Sequence, residues 1–130
     1  SKAFGERVLL RDASVTIRDG QIAGGGDPLH GTGAIYSLAD SSGTATKAGE
    51  WRTMVITLSG TKITVDLDGK RASTFDSTAP NLPPQKQWHE PKREPKRPEV
   101  GYLGLQNHEP GDVVWFKEIS VRPLPPGSEK

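Results

Sequence analysis

The stretch Trp51-Arg-Thr-Met-Val-Ile-Thr-Leu-Ser-Gly-Thr-Lys-Ile-Thr-Val-Asp-Leu-Asp-Gly-Lys-Arg-Ala-Ser-Thr-Phe75 decides the fold. Met54, Ile56 and Leu58 alternate with polar neighbours, which is the period of a half-buried strand, and Ser59-Gly60 then marks a turn. After it, Ile63, Val65 and Leu67 point one way and Thr64 and Asp66 the other. Asp68-Gly69 follows, the residue pair that best tolerates the two positive φ angles of a type I′ hairpin, and Arg71 to Phe75 is the return strand. Residues 50–75 therefore read as a three-stranded antiparallel meander.

No segment places apolar residues at helical spacing over three turns. Glycine and proline number 15 and 11 of 130 residues, a content suited to short strands and many turns, so an all-helical fold is excluded. On the C-terminal side, Gly101-Tyr-Leu-Gly-Leu-Gln106 reads as a short strand. Val113 to Arg122 reads as another, with Val113, Trp115, Ile119 and Val121 on one face and Lys117 interrupting it. On the N-terminal side, Val8-Leu9-Leu10, Ser14-Val-Thr-Ile17 and Ala34-Ile-Tyr-Ser-Leu38 are shorter candidates, and Gly24-Gly-Gly-Asp-Pro28 is a loop. The expected organisation is one β-sandwich domain over residues 1–124, with a long basic, proline-rich loop at 76–100 and a tail at 125–130.

Composition removes several function classes. Seventeen Lys and Arg stand against sixteen Asp and Glu, a net charge of +1, so no overall field draws the chain to nucleic acid or to anionic lipid. There is no cysteine, hence no disulfide, thiolate nucleophile or cysteine zinc site. No apolar run approaches the roughly 20 residues of a membrane span. The chain opens on Ser1 without methionine, as a processed or trimmed chain does. Neither glycine cluster continues into a phosphate-binding motif, which excludes nucleotide binding.

The densest polar constellation is Gln106-Asn107-His108-Glu109, followed by Pro110-Gly111-Asp112. A histidine beside a carboxylate, with amide donors nearby, suits proton transfer; the same residues also suit a plain hairpin-closing turn. The other histidines, His30 and His89, lie in loops, and no two-histidine metal spacing occurs. A hard cation is the easier metal to hold, with Asp27, Asp112, Glu109 or loop carbonyls as oxygen ligands for a structural calcium. Trp51, Trp88, Tyr36, Tyr102 and Trp115 have faces on which sugar rings stack. Strand aromatics default to the core, so Trp88, in the long loop, is the one expected at the surface.

Taken in order and spacing, Gly33-Ala-Ile-Tyr36, Gly49-Glu-Trp51, Ile63-Thr-Val-Asp-Leu-Asp-Gly-Lys70, Gly101-Tyr-Leu-Gly-Leu-Gln-Asn-His108 and Val114-Trp-Phe-Lys-Glu-Ile119 resemble the 3-keto-disaccharide hydrolase domain family over about Gly33 to Leu124. The resemblance implies an all-β antiparallel jelly roll of the concanavalin A-like type, in exported, periplasmic or extracellular bacterial proteins that process carbohydrate. It also implies cleavage of glycosides already oxidised at C3, or a sugar-binding relic of that activity. His108, Glu109 and Gln106 are then the catalytic candidates, and Trp88, Tyr36, His30 and Asn107 the sugar-binding ones. Two departures stand out. The family's long opening segment of strands is short here, and its Glu-Val-Gln-Ile-Leu-Asp strand reads Arg7-Val-Leu-Leu-Arg-Asp12. They support an alternative: an accessory subunit that docks through sheet edges and the basic loop onto a larger, membrane-associated protein complex.

Overall fold

The computed structural model describes residues 12–19, 29, 31–42, 50–90, 102–106, 110–111 and 115–125. Its strands are β1 (Asp12–Asp19), β2 (Glu50–Ser59), β3 (Lys62–Leu67), β4 (Lys70–Asp76) and β5 (Trp115–Val121). They form one antiparallel sheet in the order β4-β3-β2-β1-β5, all-β as expected, and the described residues include no helix long and apolar enough to cross a membrane.

The meander forms as the sequence predicts. Ser59 pairs with Lys62, leaving Gly60-Thr61 as a two-residue loop in which Gly60 takes φ 57°. Leu67 pairs with Lys70, and Asp68 and Gly69 take φ 49° and 79°, the double positive angle of a type I′ turn. Asp68 is further held by β2: its N–H donates to the Thr53 carbonyl at 2.9 Å, and its carboxylate accepts from the Thr53 N–H at 2.9 Å and from Arg52 Nε at 2.7 Å. Those contacts, the Thr53 N–H first and then Arg52, hold the Asp68 carboxyl below its ordinary value of 3.8.

One face of the sheet makes the core. Val65, Leu67, Ala72 and Phe75 are buried there together with Leu38, and Met54, Ile56, Leu58 and Ile63 are half-buried. A register shift between Val65 and Asp66 gives β4 a bulge at Ala72, so the adjacent Ala72 and Ser73 are both buried. Segment 31–42 covers this place. A Cβ on Gly33, which has φ +80°, would lie 2.8 Å from Leu67 Cδ1 and 2.9 Å from the Ala72 Cβ, so only glycine allows that approach. Ser73 Oγ donates to the Gly33 carbonyl at 2.6 Å, and the Ser42 N–H donates to the Ala72 carbonyl at 2.9 Å along the outer edge of β4.

Four expectations need correction. Residues 34–38 are not a strand: Ile35 and Ala39 exchange backbone hydrogen bonds around a tight turn, with Ser37 at φ 58° and Tyr36 at the tip. Residues 102–106 are not in a strand either; Tyr102, Gly104 and Leu105 are exposed there, and the glycine offers no side chain to pack. Val113 and Val114 of the expected final strand lie outside the described residues, and from Trp115 on its simple alternation fails. Ser14 pairs with Ser120 but Thr16 with Lys117, so β5 carries an extra residue, with Glu118 at φ 55°. The bulge puts Trp115 and Lys117 on one face and leaves Phe116 and Val121 in line with the other. Finally, Trp51 and Trp115 are at the surface rather than in the core. Val8 to Leu10, the Gly24 to Pro28 loop and residues 91–100 of the long loop lie outside the described residues.

Candidate functional site

The loop after β4 presents the first sugar-binding candidate. Within residues 85–90 the Gln85 side-chain amide donates to the carbonyls of Gln87 at 2.9 Å and Glu90 at 3.2 Å, and the buried Glu90 carboxylate accepts from the Lys86 N–H at 2.8 Å. This small closed ring carries Trp88 at its tip, 91% exposed, with the His89 ring edge-on at 5.6 Å. A tryptophan fixed by its own loop and left in water is preorganised for contact with something else.

Tyr36 is 51% exposed at the tip of the turn that Ile35 and Ala39 close. Gln106 is exposed at the end of segment 102–106, and Pro110-Gly111 turns the chain, Gly111 at φ 97°, ahead of β5. Asn107, His108, Glu109 and His30 lie outside the described residues, as do the calcium candidates Asp27 and Asp112; of the proton-transfer constellation only Gln106 is placed. Among the described residues no three acidic or histidine side chains gather as a metal site.

Two features were not singled out from sequence. An open cleft of about 310 Å³ lies beside the bulge of β4, lined by Asp40, Ser41, Ser42, Arg71, Ala72, Ser73 and Thr74. Arg71 pairs there with Asp66, its register partner on β3. The second lies on the sheet face opposite the core. Arg18 of β1 is the register partner of both Trp51 and Trp115, so the two tryptophans flank it in one row, and Lys117 puts its ammonium 4.3 Å from the centre of the Trp51 ring. The exposure of Trp51 was legible, because Met54, Ile56 and Leu58 facing inward send odd-numbered residues of β2 outward. That of Trp115 depended on the bulge.

The described residues thus form an antiparallel all-β sheet with exposed aromatics at Tyr36, Trp51, Trp88 and Trp115 and a polar cleft beside β4. The model of the 3-keto-alpha-glucoside-1,2-lyase-like domain matches residues 11–122, and the chain belongs to that family. Among solved structures it is similar to a protein of Parabacteroides distasonis ATCC 8503 named a "putative glycosyl hydrolase", at 24% identity and a TM-score of 0.75, over 92% of this chain and 80% of that one. That likeness establishes a shared fold. None of the curated proteins matches the sequence.

Proposed function

We propose that this domain cleaves glycosides whose sugar carries a ketone at C3. The ketone acidifies the C2 proton; a base removes it, the electron pair forms an enolate, and the enolate expels the C1 alkoxide, which leaves as an alcohol after protonation. Water then adds across the C1–C2 double bond of the enone. The observation that supports this reading is the family match over residues 11–122, which contains the whole Gln106-Asn107-His108-Glu109 run.

In this reading His108 is the base at C2 and returns a proton to the leaving oxygen, while Glu109 orients the imidazole. Gln106, exposed where its amide can meet substrate, donates to the enolate oxygen. Trp88 and Tyr36 contribute stacking faces, and His30 and Asn107 hydrogen bonds to sugar hydroxyls.

The test is incubation with a 3-keto disaccharide in deuterium oxide. Deuterium enters C2 of the unreacted substrate or the product, and His108→Ala lowers the rate by about 10²- to 10⁴-fold, the usual contribution of a positioned acid–base group. Unchanged turnover in His108→Ala removes the assignment.

A further inference from the structure

We propose that the Trp51, Lys117 and Trp115 face of the sheet is a glycan-binding platform, a site that the elimination chemistry above does not call on. Adjacent strands lie 4.7–4.9 Å apart, so Trp51 and Trp115, two strands apart across β1, stand about 10 Å from each other on one face. Trp115 is 61% exposed and Trp51 39%. Phe116, one residue along β5, is half-buried on the opposite side. The strand therefore leaves its larger aromatic in water while partly burying the smaller one, the reverse of what packing alone favours.

The chemistry of the row selects the occupant. Lys117 crosses the face of β1 to reach the Trp51 ring, which holds its ammonium and its donors at the Trp51 end of the row, with Trp115 at the other end. Thr53, the same row as Lys117 through Thr16, adds an exposed hydroxyl. A glycan of two or more units matches this set: the C–H face of one ring stacks on Trp115, and the hydroxyls of the neighbouring unit, about 10 Å along the row, take the Lys117 donors and meet Thr53. A protein partner would ask for a contiguous apolar patch, whereas here the row sets the Arg18 position between the two tryptophans and an ammonium over one of them. Trp51 acts as a positioning residue for Lys117, and Trp115 makes the contact. The choice of carbohydrate as ligand rests on the reading of the domain as carbohydrate-active.

The test is isothermal titration of the full chain with maltohexaose, cellohexaose, xylohexaose and a hexamer of galacturonic acid. Saturable binding of at least one is expected. Trp115→Ala then weakens it at least tenfold, Lys117→Gln several-fold, and Trp115→Tyr restores part of the loss. The tyrosine variant keeps an aromatic on the strand, so it reports even where the alanine variant does not fold. Binding by none of the four overturns the platform, and so does a loss caused by Trp88→Ala with Trp115→Ala unaffected. The readout is binding rather than turnover. A His108→Ala protein that still binds keeps the platform standing whatever becomes of the elimination reading.

Discussion

Ser73 Oγ donates to the Gly33 carbonyl at 2.6 Å, joining the bulged outer strand β4 to a segment forty residues earlier in the chain. The hydroxyl is buried, and it satisfies a carbonyl that the tight passage of Gly33 over Leu67 and Ala72 removes from water. The polar cleft beside β4 takes its shape from this junction, since Ser41, Ser42, Ala72 and Ser73 all line it.

Gly33→Ala is expected to lose about 3 kcal/mol, because its Cβ meets Leu67 and Ala72 inside normal contact distance and its positive φ disfavours any L residue. Ser73→Ala leaves the carbonyl without that donor and costs about 1–2 kcal/mol. Urea unfolding with a common m-value measures both. A Gly33→Ala midpoint equal to the parent's would refute the packing described for segment 31–42.

Acid should weaken the β3–β4 hairpin. The Asp68 carboxyl is held below 3.8 by the Thr53 N–H and Arg52, and Asp76 by the Thr78 hydroxyl and N–H and by Thr61. A depressed carboxyl stabilises the fold above its unfolded value and loses that contribution as pH falls through its lower folded value, so the loss begins below about pH 4. Asp68→Asn keeps the turn-forming character of the position and flattens part of this acid limb; its cost at neutral pH is about 1 kcal/mol, because the pair is partly exposed. Thermal unfolding between pH 2.5 and 6 distinguishes the two proteins.

Glu118 is a non-glycine residue at φ 55°, inside the bulge of β5. Glu118→Gly relieves a left-handed backbone angle worth about 1–2 kcal/mol and gives back part of that gain through a more flexible unfolded chain. A net rise in stability of about 0.5–1 kcal/mol is expected by chemical denaturation.

The closed ring of residues 85–90 hangs on Gln85 and on the buried Glu90 carboxylate. Glu90→Ala removes the acceptor of the Lys86 N–H, and amide exchange at Lys86 should accelerate while exchange in the β2–β3 meander stays unchanged. Protection at Lys86 identical to the parent's would show that another contact closes the ring.

The meander was legible from sequence because each of its turns carries its own chemistry: glycine at position 60, and the Asp68-Gly69 pair where two positive angles are needed. Strand β5 was legible as a strand and not as a face, since one extra residue at Glu118 inverts every inside–outside assignment beyond it and leaves no mark in composition. The segment Ala34 to Leu38 alternates like a strand, yet Gly33 and the left-handed Ser37 fold it into a turn that packs on β4. Of the candidate site, sequence picked out Trp88 as the surface aromatic and named Tyr36 as a stacking candidate within an expected strand. It assigned Trp51 and Trp115 to the core as strand aromatics, although the alternation of β2 already turns Trp51 outward; the side taken by Trp115 depends on the bulge of β5.

Each of the two outermost strands of the described sheet, β4 and β5, is bent by an extra residue, and Ser42 is already bonded to the margin of β4. Two copies meeting side by side present spacings that do not mesh, so stacking has no regular seam along which to grow. The irregular margins of β4 and β5 thus work against edge-to-edge growth of this sheet into a fibril.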